Sequence, residues 1–121
     1  MSGETHFIFI YLPEALEPDV REERYGDPLN TQLEQAGLGF VSGGGSLLSA
    51  PDENGSRDII HIGVDVDVYD LDAGRALLRR LLPELGCPAG TKLEFSDHEA
   101  HWADLFDSDL WHLRQPRQLS E

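Results

Sequence analysis

Apolar and polar positions alternate most regularly from Arg57 to Asp72. Ile60, Ile62, Val64, Val66 and Val68 share one parity, and His61, Gly63, Asp65, Asp67 and Tyr69 share the other. This is the two-residue period of a strand with one face buried, and its β-branched residues suit a pleated surface. From Thr5 to Leu12 the run is apolar at both parities, with Phe7, Phe9 and Tyr11 opposite Ile8, Ile10 and Leu12. A strand covered on both sides, and therefore central, is expected there.

Between these strands the pattern weakens. Pro13 to Gly26 carries two prolines and many acids, and predicts a loop or a frayed turn of helix. Asp27-Pro28 signals a helix start, Leu29, Leu33 and Ala36 give its buried stripe, and Gly37 ends it. Leu38 to Ala50 reads as a strand interrupted by Gly43, Gly44 and Gly45, which point to a bulged edge strand or to close approach of a ligand. Asn54-Gly55 marks a hairpin turn.

After the regular strand, Asp70 or Asp72 caps a second helix with Ala76, Leu77, Leu78, Leu81, Leu82 and Leu85 along one side and Arg75, Arg79 and Arg80 outside. Pro83 should loosen that helix near Leu82 and finish it by Gly86. Thr91 to Ser96 is the last expected strand, with Leu93 and Phe95 inward. Strand, helix, strand, strand, helix, strand is the order of an α+β, ferredoxin-like βαββαβ sandwich: a four-stranded antiparallel sheet with two helices on one face.

Residues 1–96 make that domain, and 97–121 form an aromatic C-terminal tail. In the tail Trp102, Leu105 and Phe106 fall at helical spacing, with Leu110, Trp111 and Leu113 beyond. Large apolar groups are costly to leave in water, so the tail should pack on its own domain or on a partner. From Arg114 onward it reads as frayed.

Composition narrows the class. The 121 residues suffice for one ordinary core. No apolar run approaches the roughly 20 residues that span a bilayer, and the start lacks the basic region of a signal peptide, so a soluble, cytoplasmic protein is expected. Cys87 is the single cysteine, expected to be a buried or half-buried thiol. The net charge of −14 repels nucleic acid and anionic lipid and attracts a basic partner. Its plainer role is solubility.

By parity the sheet face away from the helices collects Phe7, Phe9, Tyr11, His61, Asp65, Asp67 and Tyr69. Aromatic sheets of this shape can bind RNA, but here acids stand where such a platform needs bases, so RNA binding is rejected. Asp65 and Asp67 lie about 6.6 Å apart in rise. With His61 they could share a hard cation or act as acid and base; the plainer alternative is a solvated row of acids. A phosphate cradle at Gly43-Gly44-Gly45 is weak, because no Gly-Lys-Ser or Gly-Lys-Thr follows. His98 and His101, three apart beside Asp97 and Glu99, are weak metal candidates on one helical face. No metal or cofactor is assigned.

Three stretches carry a resemblance: Arg24-Tyr25-Gly26-Asp27-Pro28-Leu29, Gly37-Leu38-Gly39-Phe40-Val41-Ser42-Gly43-Gly44-Gly45-Ser46, and Leu85-Gly86-Cys87-Pro88-Ala89-Gly90-Thr91. Together they resemble a group of small, acidic, stand-alone bacterial proteins to which no activity is assigned. The resemblance implies the same small α+β fold and supplies no catalytic residue. Acidic domains of this size also include immunity proteins that neutralise basic toxins, an analogy of size and charge only. The function expected is therefore an interaction protein that binds a basic protein or its own copy, with Phe7, Phe9, Tyr11, Trp102, Phe106 and Trp111 as anchors. The alternative is a small-molecule or metal-dependent enzyme using His61, Asp65 and Asp67 beside the glycines.

Overall fold

The computed structural model describes residues 4–117, so the first three and last four residues, including the end of the tail, lie outside the described residues. The elements are β1 (His6–Leu12), α1 (Pro18–Arg21), a π turn (Glu22–Gly26), α2 (Asp27–Gln35), β2 (Gly39–Leu48), β3 (Ile59–Val68), α3 (Leu71–Glu84), β4 (Lys92–Asp97), β5 (Ala100–Asp107) and β6 (Leu110–Pro116). One antiparallel sheet contains all six described strands, in the order β2-β3-β1-β4-β5-β6.

The expected four-stranded ferredoxin-like sheet is thereby overturned. The segment after Ser96 is no helical cover: it extends the sheet as β5 and β6, and β6 continues through Arg114 to Pro116 instead of fraying. Trp102, Leu105 and Phe106 suggest a helix, but Trp102, Asp104 and Phe106 equally satisfy the period of two that the structure shows. The reversals rest on non-glycine residues at positive φ, His98 (53°), Glu99 (67°) and Ser108 (62°), so no glycine or proline marks them in the sequence.

The core forms where the alternation places it, except that Ile60 stays exposed near the start of β3. Ile8, Ile10 and Leu12 of β1 meet Ile62, Val64, Val66 and Val68 of β3 and Leu93 and Phe95 of β4. Leu29 and Leu33 of α2 and Leu78, Leu81 and Leu82 of α3 complete the same cluster. Each such side chain contributes about 1.5–3 kcal/mol by leaving water.

The helical run before β2 starts earlier than the Asp27-Pro28 signal. It begins at Pro18 and passes through the π turn into α2, so Asp27 caps nothing. The turn carries Tyr25 inward, where it is fully buried and its hydroxyl donates to Glu14, itself paired with Arg24 at 3.2 Å. At the other end Gly37 (φ 68°) lets the Leu38 amide donate back to the Leu33 carbonyl at 3.0 Å.

Asp70 caps α3 by accepting from the Ala73 amide at 3.0 Å. The helix runs to Glu84, past Pro83. Proline has no amide hydrogen for the carbonyl four residues back, that of Arg79. The Trp111 indole N–H donates to that carbonyl at 2.9 Å, so β6 supplies the bond that Pro83 cannot.

A second tie joins α3 to the C-terminal hairpin. Asp104 is fully buried, and Arg75, expected outside the apolar stripe, is buried with it and grips it through two bonds at 2.9 and 2.7 Å. Arg79 adds a bond at 3.0 Å, and the Arg114 amide another at 3.0 Å. The Arg75 guanidinium also lies 4.1 Å from the Phe95 ring centre. Every oxygen of this buried carboxylate is thus satisfied, the condition under which a buried charge is tolerated.

Two predictions follow from these ties. Asp104→Ala leaves the buried Arg75 with only the exposed Asp72 carboxylate, at 3.3 Å, and should cost about 3–5 kcal/mol in urea unfolding, a cost that a merely exposed hairpin would not show. Burial first, and then donation to Glu14, push the Tyr25 phenol well above its ordinary value. Its contribution is therefore complete below the unfolded pKa of about 10 and is lost as pH rises beyond it. Between about pH 9.5 and 11.5 the urea midpoint of Tyr25→Phe should fall less than that of the wild type; equal falls would remove Tyr25 from the alkaline transition.

Candidate functional site

Both longer helices cover one side of the sheet, and the other side carries the polar row read from the sequence. Register sets out that face in rows across β2, β3 and β1. Phe40, Asp67 and Phe7 form one row, Gly43, Asp65 and Phe9 the next, and Gly45, Gly63 and Tyr11 a third, with Leu47 beside His61 at the end. The expected grouping of Phe7, Phe9 and Tyr11 with His61, Asp65 and Asp67 is present.

Two glycines shape this surface in opposite ways. A methyl on Gly63 would lie 2.4 Å from the Phe9 ring, so the ring leans across Gly63 because no side chain stands there. Over Gly45 nothing lies within 4 Å. The result is a depression of about 330 Å³ lined by Phe9, Gly44, Gly45, Ser46, Leu47, His61, Gly63 and Asp65. Gly43 lies outside its lining, at the bulge where Ser42 breaks the register between Val41 and Gly43.

Polar chemistry in the depression is sparse. Asp65 is half-buried and has neither a hydrogen bond nor an ion pair among the described residues. Asp67 stands outside it and accepts from the Thr5 hydroxyl at 3.3 Å. The His61 ring packs against Tyr11 at 4.6 Å, and its Nδ1 is buried with no hydrogen-bond partner. That leaves Nε2 as the nitrogen through which His61 can meet a ligand. Tyr69, 52% exposed, faces Phe40 at 6.4 Å rather than the depression.

Across the Phe9 ridge lies a second depression of about 380 Å³, lined by His6, Phe7, Phe9, Glu94, Phe95, Ser96 and Arg117. Its charges are already matched: Arg117 donates to Glu94 at 2.7 Å, and Lys92 lies 4.0 Å from the same carboxylate. The two depressions differ in this respect. One presents an unpaired acid, the other a closed ion pair.

Other expected site residues are placed elsewhere. Trp102, Phe106 and Trp111 pack on the helix side against the core, not on the open face. His98 stands in the β4–β5 turn, 3.4 Å from Asp97, while the Nδ1 of His101 on β5 lies 2.8 Å from the Ser96 hydroxyl. The shared helical face proposed for these two histidines does not exist, and among the described residues no three His, Cys, Asp or Glu side chains gather for a metal ion. Arg114 donates to Asp97 at 2.8 Å and holds that carboxyl below its ordinary range. Cys87 is buried, and burial pushes its thiol up, away from the reactive thiolate. No helix among the described residues is long and apolar enough to cross a membrane.

Phe40 and Leu47 were not legible as members of this face. The bulge at Ser42 changes parity along β2, so a simple alternation puts them on opposite sides. Compared with protein-family models, curated proteins and solved structures, the chain matches none.

The two glycines should respond differently to substitution. Gly63→Ala drives a methyl into the Phe9 ring and should cost about 1–3 kcal/mol, with much of the loss recovered in a Gly63→Ala/Phe9→Ala double variant. Gly45→Val enters open space on an extended strand and should leave thermal stability unchanged or raise it by up to about 1 kcal/mol. Equal penalties at both sites would contradict this surface.

Proposed function

We propose that the protein is an acidic interaction protein that binds a basic protein through its helix-free sheet face. The observation that carries this reading is the unpaired Asp65 beside Asp67 among partly exposed Phe7, Leu47 and Tyr69, on a face that neither longer helix covers. Among the described Lys and Arg residues, only one is spare to neutralise such acids. Every Lys and Arg except Arg57, in the β2–β3 loop, is already in an ion pair with a carboxylate. The net charge of −14 steers a basic partner from a distance, and the aromatic groups supply contact area on arrival. A basic toxin is one partner with this chemistry.

An enzyme using His61, Asp65 and Asp67 gains from the shared depression of the first two. It loses from the third, whose carboxylate stands outside that depression. Two acids that do not converge on one volume are poorly placed to act on one reacting atom.

The test compares two pairs of lost charges. Immobilised wild type, Asp65→Asn/Asp67→Asn and Asp27→Asn/Glu34→Gln are exposed to the native cell lysate at low and high salt. A basic protein should be retained at low salt by the wild type and by the Asp27/Glu34 variant, released by high salt, and lost from the Asp65/Asp67 variant. Equal loss from both variants, or no basic protein held by the wild type, overturns the reading.

A further inference from the structure

We propose that the depression between Gly45 and the Phe9 ring is a pocket for one arginine side chain of the basic partner. This rests on the interaction reading and assigns its anchor point. The chain already shows how it holds guanidinium groups, one buried and one exposed. Arg75 lies over the Phe95 ring while Asp104 accepts two of its N–H groups, and Arg114 lies 5.6 Å from the Phe95 ring centre while donating to Asp97. A carboxylate beside an aromatic ring is the common element.

The depression repeats that combination on the open face. Phe9 provides the ring, and Asp65 provides a half-buried carboxylate that no internal cation meets. Leu47 and the bare backbone of Gly45 form an apolar wall and floor suited to the methylene stem of a long side chain. A guanidinium fits this better than an ammonium, because it is planar, stacks on a ring, and can give a carboxylate two parallel hydrogen bonds. His61 Nε2 adds an acceptor at the wall in the neutral tautomer that carries its proton on Nδ1. A free anion is disfavoured by Asp65. The neighbouring depression beyond Phe9 offers no equivalent, since Glu94 is already held by Arg117.

The test titrates isotope-labelled protein with the peptide acetyl-Gly-Arg-Gly-amide, followed by amide NMR shifts. Its citrulline twin, equal in shape but uncharged, is run beside it. With wild type, arginine peptide should give saturable shifts centred on Gly45, Gly63 and Asp65, and the citrulline twin should not. Gly45→Val, which fills the floor without meeting a neighbour, and Asp65→Asn should each weaken binding by about tenfold or more. Shifts that never saturate and spread over the acidic helices, or binding unchanged in Gly45→Val, overturn the pocket. The two proposals fail separately. A basic protein captured equally by wild type and Gly45→Val leaves the interaction reading standing and removes the pocket; saturable peptide binding with no protein captured does the reverse.

Discussion

Burying Asp104 is the constraint on which the shape of this molecule depends. An isolated carboxylate in that position would be far too costly, and two arginines of α3 together with the Arg114 amide make it tolerable. The requirement fixes β5 against α3 and places β6 so that Trp111 can reach the Arg79 carbonyl. As a result β4 is an interior strand, and the C-terminal segment is bound into the sheet instead of lying across it. The same commitment draws Arg75 and Arg79 away from the surface, which deepens the acidic excess outside.

Much of the layered core could be read from the alternation of residues. The period of β3 corresponds to a half-buried strand, and the apolar run of β1 to a central one, although β1 is covered on one face only and leaves Phe7 exposed on the other. The tail could not be read that way. Trp102 and Phe106 are compatible with both helix and strand, and the turns that decide between them use His98, Glu99 and Ser108 in left-handed conformations without the usual glycine. The early helical turns were hidden for another reason. Leu16, Val20 and Tyr25 are diluted among acids, and burial of Tyr25 depends on Glu14, eleven residues away.

For the candidate site, the pairing of His61 and Asp65 followed from parity alone, and the glycine run was visible as an anomaly needing a cause. What parity could not show was depth. Depth comes from the Phe9 ring lying over Gly63 and from open space over Gly45, both of which depend on cross-strand register. The bulge at Ser42 then decides which residues of β2 share that surface. One inserted residue separates Phe40 and Leu47 in sequence logic while leaving them on one face in space.

The position of β1 also matters before the fold exists. Synthesis makes Phe7 to Leu12 well before Ile59–Val68 and Lys92–Asp97, the strands with which it pairs among the described residues. Until then a short segment of high β propensity and no charge is open to the same segment on another growing chain. The acids that follow directly, Glu14, Glu17, Asp19, Glu22 and Glu23, set like charge beside that segment on every copy. They act as gatekeepers of the unfinished chain, holding nascent molecules apart until the central strand finds its own partners.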